Sequence, residues 1–172
     1  MLKYRSSKVV TTLVAISLAL AASSAVAKPQ PGHGYVREFK EHKKGTQCQV
    51  LFESHPYFNT KGFDVVKTFK ADGSYYASRY HNRNPMASGT LYHECDVTVV
   101  AFNSLPKGTI LRITNPKSGV SKLAVVQDRG GAHVTKRPDL SRGLLESLVG
   151  GRSAEEIGLL KGLTYEVLEP SK

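Results

Sequence analysis

The chain is 172 residues long, with 24 Lys+Arg against 14 Asp+Glu, and 40% of its residues are hydrophobic. That length holds one domain, or one domain and an arm, and the balance of apolar and charged residues excludes wholesale disorder. Fifteen Gly and eight Pro point to a turn-rich, mainly β protein, and two cysteines supply neither a disulfide framework nor a four-cysteine zinc site.

Residues 1–27 read as a secretory leader. Lys3, Arg5 and Lys8 form a positive start, Leu13 to Ala22 is almost uninterruptedly apolar, and Ala25-Val26-Ala27 supplies the small-residue cleavage pattern before Lys28. Val9 to Ala27 is just long enough to anchor in a bilayer. The small-residue ending favours cleavage instead, so no stable membrane insertion is expected afterwards. No cysteine lies near the cleavage site, so a lipid anchor is not expected either. The expected location is the periplasm or the medium. Lys28–Lys172 then carries 21 Lys+Arg against 14 Asp+Glu, an excess of +7. Outside the cytoplasm that excess suits an acidic cell-wall polymer better than nucleic acid, or it simply keeps a small domain soluble.

Residues 28–46 show no sustained period and read as a flexible basic arm, with His42, Lys43 and Lys44 its one small cluster. A single β-barrel domain is expected over residues 47–172. Gln49 to Glu53 is a short strand candidate. Phe63 to Phe69 and Ser74 to Tyr80 are two strand candidates flanking Ala71-Asp72-Gly73, where the Asp-Gly pair predicts a tight hairpin turn. Val97 to Phe102 is a continuous apolar strand, and Thr109 to Thr114 pairs with Lys122 to Gln127 across Asn115-Pro116-Lys117-Ser118-Gly119. Ser141 to Leu148 has helical spacing, Ser153 and Glu156 make a capping box for a second short helix, and Leu163 to Leu168 is the last strand. Six or seven short strands with two late helices describe a small closed or nearly closed barrel.

Cys48 and Cys95 are expected to pair, because an oxidising compartment favours the bond. Neither Gln47-Cys48-Gln49 nor Glu94-Cys95-Asp96 offers the positive neighbour a nucleophilic thiolate needs. The closed loop of nearly fifty residues corresponds to about 4 kcal/mol of stabilisation.

Ala77-Ser78-Arg79-Tyr80, Ala87-Ser88-Gly89, Leu105-Pro106-Lys107-Gly108-Thr109, Arg112-Ile113-Thr114-Asn115, Gln127-Asp128-Arg129-Gly130 and Asp139-Leu140-Ser141 follow one another in that order. This series resembles the rare lipoprotein A family of septal lytic transglycosylases, which share a double-psi β-barrel with expansins and barwin-like proteins. The likeness covers about half of the chain after the leader, and the closing strand. It implies a mainly β, six-stranded double-psi barrel with one or two short helices, acting on peptidoglycan glycan strands without a metal or other cofactor. Larger relatives carry a C-terminal peptidoglycan-binding repeat, which does not follow Leu168 here, so recruitment is expected from the arm, from charge, or not at all. Protein partners are not indicated.

By the same resemblance Asp128 is the catalytic residue, and Tyr80, Ser88, Gly89, Thr90, Arg129 and Gly130 line the substrate. The residues agree: Asp128 ends an apolar strand at a glycine turn, hence at a barrel rim, and Gly130-Gly131 leaves room for a sugar ring. Arg129 is free to contact substrate or to pair with Asp139, the second being favoured, and Asp139 is expected to cap or orient the helix beginning near Ser141. A lone carboxyl group suffices for lytic transglycosylation, acting first as acid and then as base, since no water is activated. The chain departs from the family pattern in three places: Thr90 stands where Glu is usual, Phe102 where His is usual, and Gly131 where Pro is usual. Glu94 and His133 are candidate helpers in their stead. A glycan-cleaving enzyme, a non-catalytic glycan-binding module with Tyr75, Tyr76, Tyr80 and Tyr92 as stacking candidates, and an exported interaction protein on the same scaffold all remain open.

Overall fold

A computed structural model describes residues 43–48, 60–83 and 85–172. The leader, most of the arm and the strand candidate Gln49 to Glu53 lie outside the described residues. Six strands, β1 (Phe63–Tyr75), β2 (Val99–Ala101), β3 (Ile110–Thr114), β4 (Ser121–Asp128), β5 (Asp139–Leu140) and β6 (Leu159–Pro170), close into a barrel in the order β1-β5-β2-β4-β3-β6. Helices α1 (Arg142–Ser147) and α2 (Ala154–Ile157) lie between β5 and β6. Two pairs, β1 with β5 and β2 with β4, are parallel in an otherwise antiparallel ring, and the architecture is the double-psi β-barrel.

Alternation sets which side chains fill the barrel. On β3, Leu111 and Ile113 are fully buried while Arg112 points outward to a two-pronged pair with Glu166 of β6, at 2.6 and 2.9 Å. Leu163, Tyr165 and Val167 of β6 project inward from the facing strand, and Leu144, Leu145 and Leu148 bring the helical segment into the same core. The expected turn at Asn115 to Gly119 joins β3 to β4, with Gly119 at φ +72°. Its Asn115 and Ser118 side chains both donate to the Leu148 carbonyl and so satisfy the end of α1.

Both helix starts follow the sequence. The Ser141 hydroxyl accepts from the Leu144 N–H at 3.3 Å, and the Ser153 hydroxyl from the Glu156 N–H at 3.4 Å. Cys48 and Cys95 are bonded, with Cα atoms 5.4 Å apart. Beside them the fully buried Glu146 carboxylate accepts from the Cys48 and Ala154 N–H groups at 2.8 and 3.0 Å and faces the Arg142 guanidinium at 3.2 Å. Arg142 also grips Glu155.

The hairpin expected at Asp72-Gly73 is not there: β1 runs straight through it. The pair serves a bulge in the neighbouring strand instead. Pairing shifts between Ala71 and Gly73, Gly162 of β6 takes φ +68°, and its N–H donates to the Asp72 carboxylate at 2.9 Å. Gly73 is crowded by packing: a Cβ there would lie 2.9 Å from a Leu163 methyl and 3.1 Å from the Tyr165 hydroxyl, so those side-chain ends would have to move. No helix among the described residues is long and apolar enough to cross a membrane.

Candidate functional site

β4 delivers Asp128 to the rim, where the strand breaks into Arg129-Gly130-Gly131. The carboxylate is buried, and two donors from distant parts of the chain hold it. The Ala87 N–H reaches Oδ1 at 2.7 Å and the Tyr76 hydroxyl reaches Oδ2 at 2.5 Å. Tyr76 follows directly on β1, its N–H bonded to the Leu140 carbonyl at 2.7 Å. Burial pushes its phenol far above the usual tyrosine range, helped by the hydrogen bond to Asp128 and by the charges of Asp128 and Asp139. The hydroxyl therefore keeps its proton. The two donors differ in kind: the Tyr76 hydroxyl can donate to a carboxylate or, by turning its O–H, accept from an acid. The Ala87 N–H can only donate.

Ala87 belongs to a small exposed loop closed by the Pro85–Leu91 bridge and by bonds from Met86 N–H to the Thr90 carbonyl and from Gly89 N–H to the Met86 carbonyl, both 2.8 Å. Gly89 sits at φ +92°, a conformation that favours glycine. The Ser88 N–H donates to the Gln127 carbonyl at 2.9 Å, and the Ser88 and Thr90 hydroxyls meet at 2.9 Å. The loop that carries Ser88, Gly89 and Thr90 is thereby held against the end of β4. Tyr76 itself packs edge-on against Tyr80 at 5.4 Å between ring centroids and tilts over Tyr92 at 4.5 Å. Tyr80 is exposed and carries the Arg79 guanidinium 4.9 Å above its ring, whereas Tyr92 is buried. Of Tyr75, Tyr76, Tyr80 and Tyr92, Tyr80 is the most exposed.

Other expected participants fall elsewhere. Arg129 does not pair with Asp139: its guanidinium donates to the Phe102 and Asp128 carbonyls at 2.8 and 3.2 Å, clasping the ends of β2 and β4. Asp139 instead accepts from the Ser74 hydroxyl and meets His133 Nε2 at 3.2 Å, and the cap of α1 is Ser141 itself. His133 is exposed and engaged with Asp139. The register nonetheless brings the two acids near, because Ala101 of β2 lies opposite Asp128 on one side and Asp139 on the other. Glu94 is fully buried, accepting from the Gly45 N–H at 2.7 Å while its own backbone bonds the His81 ring and the Gly143 N–H. It is built into the segment around the disulfide and α1. Phe102 is a core side chain stacked on Phe69 at 5.8 Å. The room expected at Gly130 is already taken: a Cβ there would stand 2.4 Å from a methyl of Val134, which the short helical turn Ala132–Thr135 folds back over it. Among the described residues no group of His, Cys, Asp and Glu side chains is gathered for a metal.

The partners of Asp128 are what the sequence concealed. Tyr76 lies 52 residues from it and Ala87 lies 41, and the second acts through its backbone. Lys107 belongs with them, since its ammonium donates to the Ala87 carbonyl at 2.6 Å.

A six-stranded double-psi barrel whose rim presents an aspartate on a glycine turn is the class that this fold and site define. No family model matches the chain. Over 81 residues, 47% of the chain, it is 31% identical to the endolytic peptidoglycan transglycosylase RlpA of Neisseria meningitidis serogroup A / serotype 4A, and it matches that of serogroup B equally. The chain is homologous to RlpA over this stretch, as the ordered motifs indicated. The match spans 33% of the length of those proteins. Among solved structures it resembles the Streptomyces papain inhibitor at TM-score 0.47 and 16% identity, over 61% of this chain and 97% of that one. It also resembles a mutant expansin of Clavibacter michiganensis in complex with cellohexaose, at TM-score 0.46 and 19% identity, over 62% of this chain and 53% of that one.

Proposed function

We propose that this is an exported protein whose barrel cleaves peptidoglycan glycan strands by lytic transglycosylation, with Asp128 moving the proton. Support comes from the grip on that carboxylate: one oxygen fixed by the Ala87 N–H, the other by a hydroxyl able to reverse its hydrogen bond. The homology to RlpA, a peptidoglycan transglycosylase by name, supplies the substrate class.

The step balances with one carboxyl group. Protonated Asp128 gives its proton to the glycosidic oxygen as the bond from that oxygen to the anomeric carbon breaks. The C6 hydroxyl of the same muramyl residue then attacks the anomeric carbon and gives its proton to the Asp128 carboxylate. A 1,6-anhydro end forms, the other strand leaves with a free hydroxyl, and the acid is regenerated. Tyr80 offers a face for a sugar ring, and Ser88 and Thr90 offer hydroxyls for its polar edge.

A second reading is a glycan-binding module without turnover. It is favoured by Thr90 and Phe102, which leave no ionisable group where relatives carry Glu and His, Phe102 being committed to the core. Mass spectrometry of products from denuded glycan strands tests the choice. Anhydro-muropeptide ends that vanish in Asp128→Asn support the enzyme, and retention on insoluble peptidoglycan without product supports the module.

A further inference from the structure

Three consecutive residues of β4 fasten two loops. The Gly108 N–H donates to the Val126 carbonyl at 2.9 Å, the Ser88 N–H to the Gln127 carbonyl at 2.9 Å, and the Ala87 N–H to the Asp128 carboxylate at 2.7 Å. The first bond holds the Leu105-Pro106-Lys107-Gly108 turn, and the other two hold the Ala87-Ser88-Gly89 loop. Lys107 ties the loops together, its ammonium reaching the Ala87 carbonyl at 2.6 Å, a charge-assisted bond on the residue whose N–H serves Asp128.

We infer that Lys107 is a positioning residue for Asp128, fixing the Ala87 backbone so that its N–H stays on the carboxylate. The loop is closed by its own backbone bonds and by the Ser88 bond to β4, and Lys107 adds a side-chain tie at the Ala87 carbonyl. Ala87, Ser88 and Gly89 are all exposed, and two of them are too small to wedge themselves by packing. Lys107 is itself exposed, so a bond of this kind contributes little to global stability, yet it decides where one donor stands. A residue that matters for stability alone shows the opposite pattern.

The role in turnover rests on the reading of Asp128 proposed above, while the structural tie does not, and the test separates them. Hydrogen exchange at the Ala87 amide is measured by NMR in the native chain, in Lys107→Met and in Lys107→Arg, together with thermal midpoints and glycan-strand kinetics. In Lys107→Met the Ala87 amide exchanges about tenfold faster while the thermal midpoint stays within about 2 °C of native. The kcat falls on the order of tenfold with KM changed less than about twofold, and Lys107→Arg restores most of both effects. Unchanged Ala87 exchange in Lys107→Met overturns the inference whatever the kinetics do. So does faster exchange that arrives only with a general loss of stability, or an equal effect in Lys107→Arg. If the native chain gives no product, the transglycosylase reading fails while the exchange arm still decides the tie.

Discussion

The Tyr76 hydroxyl donates to Asp128 Oδ2 at 2.5 Å, which couples the first residue beyond β1 to the last residue of β4. Because burial keeps the phenol protonated, this contact serves Asp128 as a hydrogen bond and never as a second negative charge. A hydroxyl can reverse direction where an N–H cannot, so the pair Tyr76 and Ala87 divides the work: one adapts to the proton and the other holds position.

Asp128→Asn is expected to fold normally and to lose turnover by about 10²- to 10⁴-fold, the usual weight of a general acid. The amide oxygen can accept from the Ala87 N–H and its NH₂ can donate to the Tyr76 oxygen, so both bonds find a replacement. Tyr76→Phe removes the adaptable partner and leaves a buried carboxylate oxygen short of a donor, costing about 1–3 kcal/mol of stability by chemical denaturation as well as rate. Asp128→Asn with native cleavage activity sinks the assignment of the proton to Asp128.

Local signals in the chain were readable where short-range chemistry decides. Ser141 and Ser153 announced their helices because a cap acts within three residues, and Asn115 to Gly119 announced its turn for the same reason. The apolar run before a glycine turn placed Asp128 at a strand end, where β4 does finish. What stayed hidden depends on partners far along the chain. Asp139-Leu140 forms a strand of two residues, too short for any period, and exists because β1 and β2 offer it edges on both sides. Asp72-Gly73 carries the signature of a hairpin, but the bulge at Gly162 and the space needed by Leu163 and Tyr165 use it differently. Gly130 looked like clearance for a ligand because Val134, which fills that space, lies in a turn that no pattern marks.

The Cys48–Cys95 bond closes a loop spanning 47 positions, for which chain entropy gives about 4 kcal/mol. Cys48→Ala/Cys95→Ala is expected to lose about 2–5 kcal/mol by urea denaturation, and reduction of the native protein is expected to match it. The Glu146 carboxylate still holds the Cys48 N–H, so part of this segment stays docked. A loss below about 1 kcal/mol counts against the loop-closure account.

Gly143 tests a conflict between helix propensity and packing. It sits inside α1 with an ordinary helical backbone, where alanine normally gains about 1 kcal/mol. A Cβ there, however, would stand 2.6 Å from the Cys95 carbonyl oxygen, a backbone atom that the disulfide holds in place. Gly143→Ala is therefore expected to destabilise by about 1–3 kcal/mol, as overpacking does. A higher thermal midpoint in Gly143→Ala shows that α1 shifts freely off the Cys95 segment.

Tyr165 carries the last prediction. It is fully buried at the centre of the barrel, stacked on Phe69 at 5.0 Å, and its hydroxyl has no hydrogen-bond partner among the described residues. Burial, then the charges of Asp72 and Asp139, raise its phenol far above the usual tyrosine range. In the unfolded chain a tyrosine ionises near pH 10, while in the barrel this one keeps its proton well beyond that. Between those limits the native state binds more protons than the unfolded state. Its contribution is therefore fully present below about pH 10 and is lost as the pH rises towards the folded value. Tyr165→Phe removes both the unpaired hydroxyl and the titration while keeping the ring stack. At pH 7 the variant is expected to equal or exceed the native protein in stability, by about 1 kcal/mol, because burying a hydroxyl without a partner is costly. Between pH 10 and 11 its stability is expected to fall less steeply than that of the native chain. Urea denaturation at pH 7, 10 and 11 measures both effects. A loss of more than about 1 kcal/mol at pH 7 means that the hydroxyl has a partner in solution, and parallel slopes at high pH mean that its ionisation is not what destabilises the barrel.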